Sequence, residues 1–98
     1  MPGNIFKLRP KAAKDLEDIY FYSVEKWGIP RADTYIKDIN NAFNQLIENS
    51  GLGRDYGDVR PNLLAYFVGS HIIFYKFVGR DIAVVRVLHQ SMDFKRHL

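Results

Sequence analysis

The chain has 98 residues, 47% hydrophobic and 26% charged, with no cysteine; this suits one domain with a modest core and excludes a disulfide framework, a thiolate site and compositional disorder. No run approaches the eighteen or so apolar residues of a membrane span, and Met1-Pro2-Gly3-Asn4 lacks the apolar core of a signal peptide, so a cytoplasmic protein with no membrane partner is expected. The net charge of +3 lies wholly in the second half: residues 1–50 hold seven Lys/Arg and seven Asp/Glu, residues 51–98 seven against four, which fits an acidic or nucleic-acid partner and equally a mildly biased surface.

Asn4 to Arg9 alternates, with Ile5 and Lys7 opposed to Phe6 and Leu8, and reads as a strand at a sheet edge whose pairing partner is open. Pro10 suits the first turn of a helix, because it has no N–H to satisfy. Asp15, Glu17 and Asp18 early in that helix and Lys26 near its end complement the helix dipole. Ala13, Leu16, Tyr20, Val24 and Trp27 recur at three- and four-residue steps and predict the packed stripe, widened by Ile19, Phe21 and Tyr22. Gly28 is a natural stop and Pro30 a natural restart. The second helix has the cleanest period in the chain: Ala32, Tyr35, Ile36, Ile39, Ala42, Phe43, Leu46 and Ile47, ended by Asn49-Ser50-Gly51. So short a connection folds the two helices into an antiparallel hairpin.

Gly51 to Pro61 reads as a surface loop, since its glycines lack the GxxxxGK[ST] spacing of a phosphate cradle. Asn62 to Val68 predicts a strand. His71 to Phe77 and Ile82 to His89, broken by Gly79-Arg80-Asp81, predict a hairpin of two β-branched and aromatic strands. By strict alternation Arg86 shares a face with Ile82, Val84 and Leu88, and Lys76 with Ile72 and Phe74. Such cations need a sheet rim or a partner, for which Asp93 and Asp81 are candidates for Arg86. Gln90 to Leu98 is polar and basic, a tail or a single helical turn. The order is an α+β, two-layer arrangement of N-terminal strand, antiparallel helical hairpin and three-stranded antiparallel sheet, a single domain over 1–98 with the second sheet face open.

His71, His89 and His97 show no metal-ligand spacing, and no Ser–His–acid pattern is legible. No catalytic residue, metal or cofactor is therefore assigned. Trp27 and the neighbouring tyrosines read as packing residues rather than a ligand box.

Ser70-His71-Ile72-Ile73-Phe74-Tyr75, then Ile82 through His89 and Ser91-Met92-Asp93, together with Arg60-Pro61-Asn62-Leu63 upstream, resemble ParE toxins of the RelE/ParE superfamily of type II toxin–antitoxin systems. The resemblance implies a βααβββ fold, poisoning of DNA gyrase and neutralisation by a cognate ParD-like antitoxin in a hetero-oligomer that reaches operator DNA only through the antitoxin. It implies a binding protein rather than an enzyme. Arg86, His89, Met92, Lys95 and Arg96 are the residues expected to face gyrase, and Tyr20, Trp27 and Tyr75 those expected to meet the antitoxin. RelE-type relatives are instead ribosome-dependent mRNA endoribonucleases, for which Arg86, His89 and Tyr75 could supply charge, proton transfer and stacking. Against that alternative, the positions matching the cations and tyrosine of such enzymes hold Leu63, Ala65, Ile72, Met92 and Leu98. A third reading is a module that has lost toxicity and only binds its antitoxin.

Overall fold

A computed structural model describes residues 5–49 and 51–98; Asn4, the first residue of the expected opening strand, and Ser50, in the expected helix stop, lie outside them. The elements are β1 (Phe6–Leu8), α1 (Pro10–Trp27), α2 (Ile29–Glu48), β2 (Arg54–Asp55), β3 (Leu64–Val68), β4 (His71–Val78), β5 (Asp81–His89) and α3 (Phe94–His97). They form one sheet in the order β1-β5-β4-β3-β2 with the helical hairpin on one face. The expected α+β order is present. The open question of β1's partner is resolved: it lies at the sheet edge, parallel to β5, with Phe6 opposite Ile82 and Leu8 opposite Val84. The glycine-rich loop contributes one further short strand, β2, antiparallel to β3.

One residue turns the chain between the helices. Gly28 sits at φ 91°, a region that L side chains rarely adopt. Its N–H closes α1 on the Val24 carbonyl (2.8 Å) and its carbonyl accepts the first bond of α2 from the Ala32 N–H (3.1 Å).

The buried face of α2 is the predicted one: Ala32, Ile39, Ala42, Phe43 and Leu46 are buried, with Tyr35, Ile36 and Ile47 half-buried beside them. The buried face of α1 is so only in part, with Ile19 and Leu16 against the core as expected. Ala12, Ile19 and Ser23 point inward, while Ala13 and Trp27 are exposed and Tyr20 and Val24 half-buried. The stripe is rotated by one residue from the expected one. The small side chains of Ala12 and Ser23 let α1 approach its neighbours closely, and the bulky aromatic residues are left outside.

The second sheet face is not open. Leu63, Ala65, Ile72, Phe74, Val85 and Leu88 form a second buried cluster there, closed by Tyr56 and by Phe94 and Leu98 of the C-terminal turn. The Phe94 ring lies 5.7 Å from Tyr56 and 5.4 Å from Phe74. The C-terminal turn is thus a lid whose apolar Phe94 and Leu98 flank Lys95, Arg96 and His97.

A register shift in the β4–β5 hairpin decides where the polar residues go. Tyr75 faces Val84 but Phe74 faces Arg86, leaving Val85 as an extra residue. Such a bulge moves every later residue of β5 to the opposite face from strict alternation. Ile82, Val84 and Val87 therefore pack under the helices, while Val85 and Leu88 join the second cluster. Arg86 is accordingly not on the face of Ile82 and Val84, as alternation predicts.

Candidate functional site

The bulge puts Arg86 at the stretch of β5 beyond the end of β1, where no strand covers the edge. Asp15 of α1 occupies that edge. Its carboxylate accepts hydrogen bonds from Arg86 Nε (2.7 Å) and Nη2 (2.8 Å) and from the Val87 N–H (3.0 Å). Arg86 Nη1 also donates to the His97 carbonyl (3.0 Å). One guanidinium therefore joins α1, β5 and α3, and the Asp15 hydrogen bonds raise its already high pKa. The expected partners were different: Asp81 instead accepts the Ile5 N–H at 3.0 Å, tying β1 to β5.

The same bulge aligns two histidines. A hairpin without the extra residue would set His71 opposite Leu88; here it faces His89, with the rings 5.2 Å apart and perpendicular. Tyr35 Oη receives the Ser70 N–H (3.1 Å) and lies 2.6 Å from His71 Nδ1 and 3.4 Å from the Val68 carbonyl. Ser91 donates to His89 Nδ1 from its N–H (3.1 Å) and lies with its hydroxyl 2.7 Å from the same nitrogen. His89 Nδ1 thus accepts, which places the proton of its neutral ring on Nε2. Burial, followed by the charge of His89, lowers the pKa of His71 to about 4. His71, His89, Ser91, Met92, Tyr22 and Asp18 share a cavity of about 390 Å³. Among the described residues no three metal-ligating side chains converge.

The residues expected to face gyrase are divided between two places. His89 and Met92 line the histidine cavity. Lys95 and Arg96 stand exposed on the outside of α3, with Arg86 half-buried behind it. Of the residues expected to meet the antitoxin, Trp27 is 39% exposed, packs edge-on to Tyr35 at 6.0 Å, and has Lys26 and Arg31 near its ring at 5.5 and 5.2 Å. Tyr20 is half-buried, and its hydroxyl pKa is raised by Asp33. Tyr75 must be withdrawn as a contact residue. It is 0% exposed, in the core beneath the helices, and has no surface to offer a partner.

Phe21 and Tyr22, assigned to the packed stripe by their spacing, are each 58% exposed. With Trp27 and the 58%-exposed Ile29 they leave much apolar surface around the end of the helical hairpin. A solvated helix end does not require such side chains, and surfaces of this kind mark interfaces. Leu63, Ala65 and Ile72 are buried in the second cluster; Leu98 closes it from outside and Met92 is exposed elsewhere. No helix among the described residues is long and apolar enough to cross a membrane.

Residues 6–94 match the family model described as the ParE toxin of the type II toxin–antitoxin system parDE. Toxin ParE1 of Mycobacterium tuberculosis is 36% identical over 94 residues, covering 95% of this chain and 96% of the relative. Toxin ParE1 of Caulobacter vibrioides is 34% identical over 93 residues, with the same coverage of 95% and 96%. A solved structure titled as the chromosomal ParDE TA system from P. aeruginosa superposes with a TM-score of 0.74 at 23% identity, covering 89% of this chain and 95% of the other, a likeness of fold.

Proposed function

The chain belongs to the ParE toxin family of type II toxin–antitoxin systems, and on that premise we propose that it poisons DNA gyrase by binding, so that cleaved DNA accumulates and replication stalls. A cognate ParD-like antitoxin neutralises it in the cytoplasm, and the toxin reaches operator DNA only through that antitoxin. No catalytic residue is involved.

The observation that carries this reading is the filling of the second sheet face. Cutting RNA needs a base for the 2′-hydroxyl, a proton for the leaving oxygen and cations for the phosphate. Leu63, Ala65 and Ile72 are apolar, buried and covered by Phe94 and Leu98. They can neither move a proton nor neutralise charge.

The gyrase-facing surface is the outer side of α3 with the adjoining loop: Met92, Lys95 and Arg96 make the contact, His89 lines its edge, and Arg86 holds α3 in place. The antitoxin's apolar tail lies across the exposed aromatic residues of the helical hairpin, Trp27 among them with Tyr20 beside it. A tail that folds as it binds would cover that surface.

The test uses purified gyrase and, separately, programmed ribosomes. Inhibited supercoiling with trapped cleaved DNA and uncut mRNA is the expected result, with Lys95→Ala/Arg96→Ala weakening the gyrase effect. Ribosome-dependent mRNA cleavage with supercoiling untouched would reverse the assignment.

A further inference from the structure

A cavity of about 350 Å³ opens beside the Arg86 lock. It is lined by Arg9, Lys11, Arg60 and Arg86, with Pro10, Val85, His97 and Leu98 completing the wall. The four cations come from four places in the fold: the β1–α1 junction, the first turn of α1, the loop before β3, and β5. No Asp or Glu is among the lining side chains. Among the described residues the ion pairs are Lys14–Asp18 and Arg86–Asp15, so Arg9, Lys11 and Arg60 have no carboxylate partner.

From this geometry we infer that the cavity is a phosphate-binding site, taking the phosphodiester of a nucleic acid or the phosphates of a free nucleotide. Arg86 is already paired with Asp15, but gathering three further unpaired cations beside it around one concavity is unfavourable unless an anion enters. Arg86 is the fixed element. Asp15 and the His97 carbonyl use three of its five N–H donors, leaving two on a guanidinium that cannot rotate away. The backbone of Arg60 is anchored at the rim: its N–H donates to the Tyr56 carbonyl (3.3 Å), and its carbonyl receives the Leu63 N–H (3.1 Å). No side chain caps α1, so the positive end of the helix dipole adds to the field around Lys11. An ordered guanidinium with movable cations around it matches a tetrahedral anion with several acceptor oxygens. This inference goes beyond the gyrase reading and does not depend on it, because an isolated toxin should bind phosphate with no gyrase present.

The test titrates inorganic phosphate, then ATP, then a short DNA duplex into the full-length protein, following backbone amide shifts and anisotropy. Saturable shifts at Lys11, Arg60 and Arg86 are expected. The exposed-side variant Lys11→Ala/Arg60→Ala should weaken phosphate binding at least tenfold while leaving the melting temperature in place. Arg80→Ala, at the other end of β5, should change nothing. If the source is nucleic acid, duplex binding falls with salt and the double variant lowers the log–log slope by about 0.9, one phosphate's share; if it is a nucleotide, ATP binds and the duplex does not. No saturable response to any of the three probes overturns the inference. So does equal weakening by Arg80→Ala, which would mean diffuse charge, or an oligoglutamate peptide that occupies the cavity in preference to phosphate.

Discussion

Asp15 and Arg86, 71 residues apart in sequence, are joined by two hydrogen bonds of 2.7 and 2.8 Å, and the same carboxylate accepts the Val87 N–H at 3.0 Å. The carboxylate does for the edge of β5 what a neighbouring strand would do, and neutralises the cation that the bulge turns outward. Asp15→Ala should therefore leave a poorly solvated guanidinium and an unpaired edge amide. Breaking such a pair from one side costs about 3 kcal/mol, the lower end of the range because both side chains keep some solvent contact. Asp15→Asn, which keeps an acceptor, should cost less. Thermal melts of the two variants check the order; equal melting temperatures for Asp15→Ala and the wild type would mean that the lock contributes nothing.

Trp27→Ala should affect binding more than folding. Truncating a fully buried Trp would cost about 3–5 kcal/mol, but this ring is 39% exposed and touches the fold through Tyr35. The expected loss is roughly 1 kcal/mol of stability, with at least a tenfold loss of antitoxin affinity if the ring is an anchor. Melting and calorimetric titration with the antitoxin's C-terminal peptide separate the two effects. The peptide should also raise the wild-type melting temperature, since a ligand of the native state alone stabilises it.

Stability should fall on acidification between about pH 6.5 and pH 4. His71 is lowered from 6.5 to about 4 by burial and by His89. In that interval the unfolded chain binds a proton that the folded chain refuses, so stability rises with pH through the window and is fully present above it. The slope stays below about 1.4 kcal/mol per pH unit, the limit set by the uptake of one proton. Denaturant titrations at several pH values measure it, and His71→Asn should flatten the profile.

Gly53→Ala should destabilise strongly. A Cβ there would overlap the Tyr75 hydroxyl oxygen and come within 2.8 Å of Cζ. Tyr75→Phe alone should cost little, because among the described residues that buried hydroxyl has at most a poorly aligned contact with the Gly53 backbone. Combined with Gly53→Ala it should recover part of the loss but not all, since Cζ remains too close. Melting temperatures of the two single variants and the double variant test this; strict additivity would place the clash elsewhere.

Local pattern was sufficient wherever it repeated without interruption. The period of α2 specified its buried face, Gly28 the sharp turn, and the β-branched runs on either side of Gly79 the hairpin. Sequence alone also led to the family and to the apolar residues at the nuclease-like positions. The packed side of α1 was legible only in part, because the apolar stripe through Ala13, Leu16, Tyr20 and Trp27 is centred about one residue away from the face that packs. Only packing chose Ala12 and Ser23, through the close approach that small side chains permit. Nor could alternation reveal the bulge at Val85. A one-residue insertion leaves the composition of a strand unchanged while exchanging its faces, so the His71–His89 pair, the Asp15–Arg86 lock and the closing of the second cluster by Phe94 were decided in three dimensions, by where an unpaired strand edge and an apolar face had to find cover.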